Sequence, residues 1–323
     1  MAAERGAPLR EWIMNQRVPV TLTIAGSDSG GGAGIEMDLK VFAALGAFGA
    51  CAVTALTAQN SVSVRGYWEA PPESVAAQLR AVLDDLDVAA AKTGMLSSAE
   101  VVRAVVGVLK GRTKSVGQSA AGTLPATPAS RRSCGSRVPP ATGGRLPVGQ
   151  ELAPAIPLVV DPVIVAKDGS RLLSEDGIAA VRDELIPLAT LVTPNTLEAR
   201  ELTGIAVETE EEAWRAAENL RALGCDWVLV KGGHLPGRAA TDYLLGPDGA
   251  QALSSPRFPG GPFHGTGCAL SAAITAYLAR RETVPEAVTR GRAFVQRLLQ
   301  TAQRLGQGSL LLNPTSQKES KQS

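Results

Sequence analysis

The segment His264-Gly265-Thr266-Gly267-Cys268 places two glycines, a hydroxyl and a thiol directly before the apolar run ALSAAITAYLA. A helix that begins here leaves its first backbone N–H groups without intrahelical partners, and the peptide dipoles add partial positive charge at that end. Such a turn suits a phosphate oxygen or a developing anion. Cys268 would lie beside it, where a helix end tends to lower the pKa of a thiol. A tight loop with an inert cysteine is the competing interpretation.

Polar residues also follow three apolar runs that predict strands. Asp161 ends the run PLVVD, Asn195 and Glu198 lie in TPNTLEA, and Lys231 ends DWVLVK. Carboxylate and amide oxygens at this spacing can hold a hydrated Mg²⁺ ion, and Lys231 can face a phosphate. The alternatives are a helix N-cap at Asn195 and a lysine that extends to solvent.

A glycine-rich loop, GSDSGGGAG at 26–34, follows the first apolar run. It lacks the Lys-Ser/Thr pair of a Walker A loop and the GxGxxG spacing of a dinucleotide site, which makes a nicotinamide dehydrogenase a remote alternative. Its glycines allow a ligand to lie against the end of the first strand. The carboxylates of Asp28 and Asp38 could accept from an amine or a hydroxyl, although Asp28 alone is better explained as a turn residue.

An alternation of strands and helices along the chain would position these candidate site residues. Capping-box patterns at Ser97/Glu100 and Thr209/Glu212 mark two helix starts. The alternation predicts an α/β fold with a mostly parallel sheet, helices on both faces and ligands beyond the carboxyl ends of the strands. The predicted strands are 18–25, 50–57, 157–161, 190–194, 226–233 and 242–246, and the predicted helices include 35–46, 73–87 and 210–223.

Composition narrows the class of partner. The 323 residues are 45% hydrophobic and 20% charged with a net charge of +1, which favours neither nucleic acid nor an anionic membrane surface. No apolar run is long enough to span a bilayer, and the first 17 residues do not resemble a secretory signal. Four scattered cysteines fit a reducing compartment. We therefore predict a cytoplasmic protein with small-molecule partners, no nucleic acid and no membrane.

One segment departs from the alternation. Residues 111–156 are dominated by Gly, Ala, Pro, Ser and Arg with a single acidic residue, which predicts a mobile surface insertion away from the ligand edge of the sheet. Its arginines could contact an acidic partner, but a loop without a partner is favoured. We predict one domain over 18–312 that this insertion interrupts, an N-terminal extension at 1–17 and a polar tail at 313–323.

Seven ordered blocks together resemble the hydroxymethylpyrimidine/phosphomethylpyrimidine kinases of thiamine biosynthesis. This family belongs to the ribokinase-like superfamily, so the resemblance implies a three-layer α/β/α sandwich with a mostly parallel central sheet. It also implies ATP-dependent phosphorylation, with Mg²⁺, of 4-amino-5-hydroxymethyl-2-methylpyrimidine and then of its monophosphate. The blocks are GSDSGGGAG with IEMDLK, TAQN at 57–60, AAKTGML at 90–96, VVDPVIVAKDG at 159–169, TPNTLEA at 193–199, LVKGGH at 229–234 and HGTGCALSAAI at 264–274.

The resemblance also implies roles for individual positions. Gly265, Thr266 and Gly267 match the anion hole, and Cys268 matches the catalytic position, where it would act as a general base or by position alone. The positions that match the pyrimidine side are Gly26, Asp38, Gln59, Met95 and Val163; those that match the ATP side are Asp161, Lys167, Asn195, Glu198, Lys231 and Gly233, with Asp161 and Glu198 also near the metal.

Two departures accompany the resemblance. Pro262-Phe263 replaces the Asn-Thr pair usual before HGTGC, and Asp168 and Ser170 appear in the reverse of the usual order. Two alternatives stay open beside the pyrimidine kinase: a pyridoxal or pyridoxine kinase of the same superfamily, and a catalytically weak homologue that binds the pyrimidine. The resemblance also makes a homodimer plausible.

Overall fold

A computed structural model describes residues 18–113, 155–165, 169, 171–233, 235–237 and 239–314. The strands are β1 (Val20–Ala25), β2 (Phe48–Val53), β3 (Ala55–Gln59), β4 (Val64–Glu69), β5 (Val88–Thr93), β6 (Leu158–Val160), β7 (Leu191–Val192), β8 (Trp227–Val230), β9 (Ala239–Gly246), β10 (Gly249–Pro256), β11 (Phe263–His264) and β12 (Leu310–Leu311). The α-helices are α1 (Gly34–Ala44), α2 (Pro72–Leu83), α3 (Ala99–Leu109), α4 (Glu175–Ala180), α5 (Thr196–Thr203), α6 (Glu210–Ala222), α7 (Thr266–Ala279) and α8 (Val284–Gln300).

Eight strands form the central sheet in the order β10-β9-β8-β7-β6-β5-β1-β2. The six neighbouring strands β2, β1, β5, β6, β7 and β8 are parallel to one another in this sheet. The strands β9 and β10 add an antiparallel edge. The predicted mostly parallel α/β sheet is therefore confirmed, as is the strand at 242–246, which belongs to β9 and pairs antiparallel with β8.

Helices cover both faces of this sheet. Val160 belongs to a hydrophobic cluster with residues of α2, α3 and α6, whereas the adjacent Val159 belongs to a second cluster with residues of α1, α7 and α8. This division follows from the alternation of side chains along a strand and produces the three layers of the predicted sandwich. Residues 269–279 of α7 are buried on all sides, because this helix lies between the sheet, α1 and α8.

Two local predictions were wrong. The predicted strand 50–57 is divided at Thr54, because β1 ends at Ala25 and offers no partner beyond Val53. The chain then leaves the sheet as β3, which pairs antiparallel with β4. The N-cap of α3 is Ser98, whose Oγ accepts from the N–H of Val101 (3.4 Å), rather than Ser97. The helical periodicity of the sequence does not show which of the adjacent residues Ser97 and Ser98 is the N-cap.

The flanks of the predicted insertion lie together at the amino end of β6. The N–H of Ile156 donates to the carbonyl of Arg112 (2.8 Å), and Thr113 pairs with Ile156. Residues 114–154, the extension 1–17 and residues 315–323 lie outside the described residues. Within the described ranges, no helix is both long enough and apolar enough to cross a membrane.

Candidate active site

A cavity of about 760 Å³ lies at the carboxyl edge of the parallel strands. The ends of β1, β5 and β6 meet there with the start of α7, because parallel strands present their carboxyl ends at one edge. The predicted site residues that line it are Gly26, Gln59, Met95, Asp161, Val163, Asn195, Glu198, Lys231, Gly265, Thr266, Gly267 and Cys268.

The turn before α7 presents backbone N–H groups to this cavity. Gly265 is the N-cap, with φ 78° and ψ 14°, a left-handed conformation that favours glycine. The N–H of Ala269 donates to the carbonyl of Gly265 (2.9 Å). The N–H groups of Thr266, Gly267 and Cys268 precede that bond in the first helical turn, so the helix ladder does not use them. Their geometry suits the anion hole that the sequence predicts.

The pKa of the Cys268 thiol is higher than its position at a helix end predicts. Its residue is partly exposed, but burial of the thiol, opposed by Lys92 and assisted by the carboxylates of Asp38 and Asp161, raises its pKa to about 11. The expected lowering of this pKa is therefore wrong, because the loss of water on burial is the largest effect and exceeds the opposing effect of Lys92. At neutral pH, Cys268 carries its proton.

Asp161, Lys231 and Glu198 form a charged cluster in the cavity wall. The Nζ of Lys231 lies 2.8 Å from Oδ1 of Asp161 and 3.8 Å from Oε2 of Glu198. Burial opposes ionisation of Asp161, yet Lys231 holds its pKa below the usual range. For Glu198 burial prevails over Lys231 and raises the pKa to about 7. Lys231, which the sequence predicts to face a phosphate, thus lies within ion-pair distance of two carboxyl groups.

Asn195 and Glu198 also form the helix cap that was the competing interpretation. The Oδ1 of Asn195 accepts from the N–H groups of Leu197 and Glu198, both at 2.9 Å. In return, Oε2 of Glu198 accepts from the N–H of Asn195 (2.7 Å). This capping box begins α5 and fixes Glu198 toward Lys231, so the cap and the predicted site use the same side chain.

The acidic residues fit Mg²⁺ only as a partial ligand set. Two carboxylates, those of Asp161 and Glu198, converge on one ammonium group, and no three His, Cys, Asp or Glu residues of the described ranges cluster as a metal site. Mg²⁺ commonly binds through one or two carboxylates together with water and substrate phosphates. The raised pKa of Glu198 indicates a carboxylate that a nearby cation would stabilise.

Asp38 does not line the cavity. Its buried carboxylate accepts from the Oγ1 of Thr23 (2.6 Å) and from Nζ of Lys92 (2.9 and 3.0 Å). Lys92, which does line the cavity, had no predicted role. The signal for it was a charged residue within the otherwise apolar strand VAAAKT. The carboxylate of Asp38 is thus paired with Lys92, and it is Lys92 that lines the cavity.

Apolar side chains form another part of the cavity wall. Met95 packs with Ala55 and Leu172, and Val163 lies against this group. A Cβ added at Gly26 would lie 3.2 Å from Sδ of Met95, so the glycine permits this close packing. Leu172 was not predicted, since nothing in its local pattern indicates a ligand.

The backbone of Gln59 is held at the end of β3, and the residue lines the cavity. Its N–H donates to Oγ of Ser29 (3.0 Å), whose hydroxyl donates back to the carbonyl of Gln59 (2.7 Å). Two predicted nucleotide-side residues are absent from this lining for different reasons. Gly233 does not line the cavity, and Lys167 lies outside the described residues.

Comparison with known proteins agrees with this geometry. A family model described as phosphomethylpyrimidine kinase matches residues 28–117 and 148–313, and its gap falls within the predicted insertion. The hydroxymethylpyrimidine/phosphomethylpyrimidine kinase of Streptomyces coelicolor is 41% identical over 290 residues, which cover 90% of this chain and 92% of that protein.

Solved structures are similar over most of their length. The crystal structure of phosphomethylpyrimidine kinase from Clostridium difficile 630 matches with a TM-score of 0.66 and 34% identity, covering 87% of this chain and 99% of that one. Pyridoxal kinase from Staphylococcus aureus, in complex with ADP, matches with a TM-score of 0.74 and 27% identity, covering 94% and 96%.

Proposed function

Because the chain belongs to the phosphomethylpyrimidine kinase family, we propose that it phosphorylates 4-amino-5-hydroxymethyl-2-methylpyrimidine and then its monophosphate, with ATP as donor, in thiamine biosynthesis. In the first transfer the hydroxymethyl oxygen attacks the γ-phosphorus and its proton passes to an oxygen of the transferred phosphoryl group; in the second transfer a phosphate oxygen of the monophosphate attacks. In both, the bond from the γ-phosphorus to the β,γ-bridging oxygen breaks, and ADP leaves with the electron pair. One observation carries the proposal: a single cavity joins the N-terminal turn of α7 and Lys231 to an apolar wall around Met95.

The anion-hole turn supplies the main charge stabilisation. Phosphoryl transfer asks chiefly for positioning and for donors aimed at the oxygens that gain charge. The first-turn N–H groups of Thr266, Gly267 and Cys268 serve as those donors, and Lys231 lies next to Gly267. A Cβ at Gly267 would be 3.3 Å from Nζ of Lys231, so the glycine leaves this approach open to a phosphate.

Cys268 acts by position rather than as a thiolate. Its pKa of about 11 keeps the thiol protonated at neutral pH. A loose transition state needs little base assistance, so the acceptor hydroxyl can lose its proton late in the transfer. The thiol then orients the acceptor oxygen toward the γ-phosphorus.

Asp161 and Glu198 would hold Mg²⁺ together with the nucleotide phosphates. When bound, the ion neutralises the charge of the β- and γ-phosphates. Asn195 fixes Glu198 through the capping box and so belongs to this side as a positioning group. Lys167 and Gly233 stay predictions for the nucleotide side.

The pyrimidine lies between the apolar wall and Gln59. Met95 and Val163 cover the ring faces, and the amide of Gln59 pairs with the ring nitrogen and the exocyclic amine. Gly26 lets the ring approach the end of β1. Asp38 contributes through Lys92, which it holds in place.

The test is a coupled ADP-release assay with three acceptors at saturating Mg·ATP: the hydroxymethyl pyrimidine, its monophosphate and pyridoxal. We expect turnover of both pyrimidines and a preference for them over pyridoxal. A preference for pyridoxal would assign the chain to the alternative vitamin kinase. Pyrimidine binding without ADP release would indicate a binding homologue.

The wider organisation is also proposed. One kinase domain spans 18–312, the protein acts in the cytoplasm, and two copies associate as a homodimer. Light scattering on the purified chain measures the last point directly, and a monomer at assay concentration would contradict it.

A further inference from the structure

Asp28 fixes the glycine-rich loop between β1 and α1 from within. Its Oδ1 accepts from the N–H of Gly30 (2.7 Å), and its Oδ2 accepts from those of Gly32 (3.0 Å) and Ala33 (2.8 Å). The residue is only 1% exposed. This confirms the turn interpretation of Asp28, because the carboxylate is occupied by the backbone of its own loop.

One donor reaches Asp28 from another part of the chain. The Nε2 of His264 lies 3.0 Å from Oδ2 of Asp28, a pair separated by 236 residues. Burial acts to raise the pKa of Asp28, but the bonds from His264 and the loop amides hold it below the usual range. Because the carboxylate can only accept, Nε2 carries the proton in this bond.

The two segments also meet backbone to backbone. A Cβ added at Gly265 would lie 1.8 Å from the carbonyl oxygen of Gly32, and one added at Gly32 would lie 2.5 Å from Cδ2 of His264. His264 immediately precedes Gly265, the N-cap of α7. The bond to Asp28 therefore fastens the start of the anion-hole turn to the loop at the end of β1.

We propose that His264 is a positioning residue for phosphoryl transfer. Through Asp28 it fixes the spacing between the loop 26–34, which borders the acceptor, and the turn 265–268, which receives the phosphoryl group. In-line transfer depends on the distance and alignment of these two sides. The inference rests on the proposed function, since it concerns the geometry of that same reaction.

The test compares His264→Ala with His264→Gln and with Lys40→Ala. Lys40 is the matched control, because its Nζ donates to the carbonyl of Gly31 (2.7 Å) in the same loop without joining it to the turn. We expect His264→Ala to lower kcat about tenfold and to change the KM values for ATP and for the pyrimidine by less than about threefold. A misplacement of about 1 Å costs on the order of 10²-fold, and loss of one of the bonds that hold this loop should shift the turn by less than that. His264→Gln, whose amide can donate to Asp28, should recover part of kcat, and Lys40→Ala should leave kcat unchanged.

For each variant, the unfolding temperature is measured, and titration with ATP gives the fraction of the protein that binds nucleotide (the competent fraction). A loss of kcat that only follows a lower competent fraction would overturn the inference, as would full kcat in His264→Ala or an equal loss in Lys40→Ala. Turnover by the wild type measures the proposed function separately. If the wild type phosphorylates the pyrimidine and His264→Ala equals it, the inference alone fails; if the wild type phosphorylates no acceptor, both fail.

Discussion

Gly267→Ala is expected to separate activity from stability. Gly267 is the second residue of α7 and lines the cavity. Its φ is not in the left-handed region, so an alanine can adopt this backbone. An added Cβ would lie 3.3 Å from Nζ of Lys231 and 3.9 Å from Oδ2 of Asp161. The first distance is tight, but it involves the flexible end of a lysine.

The substitution is expected to act in opposite directions on stability and on kcat. Alanine is about 1 kcal/mol more favourable than glycine in a helix, and the contact with Lys231 offsets part of that gain, so the free energy of unfolding should stay equal or rise slightly. The methyl group, however, occupies the approach to the first-turn N–H groups. Loss of one anion-hole donor lowers kcat by about 10²- to 10³-fold, so we expect a loss of about 10²-fold, or about 2.7 kcal/mol of transition-state stabilisation.

ADP release and thermal unfolding measure the two effects on one preparation. Gly107→Ala in α3 is the matched control, because nothing lies within 4 Å of its added Cβ and α3 packs on the other face of the sheet from α7. It should gain about 1 kcal/mol of stability without loss of kcat. A folded Gly267→Ala variant with wild-type kcat would refute the anion-hole assignment. A loss of kcat that parallels a loss of folded protein would refute the separation of the two effects.

Four further predictions follow from the charges and the chain connections. Cys268→Ala should keep the shape of the wild-type kcat profile between pH 6 and 9, because burial raises the thiol pKa to about 11; a limb that disappears with the cysteine would contradict this. For Glu198, with a pKa raised from 4.5 to about 7, the native state binds more protons than the unfolded chain in that interval and loses stability as pH rises through it. Glu198→Gln should therefore unfold at a higher temperature than the wild type at pH 8.5 but not at pH 5, and an equal difference at both would refute the pKa assignment. Lys92→Met should lower the free energy of unfolding in urea by about 3–5 kcal/mol, and the added Asp38→Leu should recover most of it; a single variant as stable as the wild type would contradict the buried pair. Replacing 114–154 with a four-residue Gly/Ser linker should leave kcat and the unfolding temperature nearly unchanged, because the flanks already pair, whereas failure to fold would show that the segment packs on the domain.

The order of strands and helices could be predicted because it depends on local patterns. Runs such as VPVTLTIA have the length and residue types of buried strands, and the capping box of Thr209 and Glu212 begins α6 as expected. The departure of β3 from the sheet could not be predicted in this way. It depends on where the neighbouring strand β1 ends, and that is a property of the assembled sheet.

The same contrast between local patterns and the assembled fold holds for the candidate site. Residues at the carboxyl ends of strands, such as Asp161 and Lys231, converge because parallel topology alone brings them together. The pKa of Cys268 could not be predicted from its place at a helix end, since the extent of burial is set by residues distant in the chain. The pairing of Asp38 with Lys92 could not be predicted for a related reason, because the two residues lie 54 positions apart in the chain.

The pairing of Lys92 with Asp38 has an electrostatic consequence for the nucleotide. A buried lysine would suit a polyphosphate, but Asp38 already neutralises this one. Lys231 is likewise balanced by Asp161, so Glu198, when ionised, leaves this group of residues with an unbalanced negative charge. The helix end contributes roughly half a positive charge, which is too little for a triphosphate. The charges of the described residues therefore favour ATP that arrives with an additional cation, and a divalent ion carried by the phosphates would also stabilise the carboxylate form of Glu198, whose pKa burial has raised.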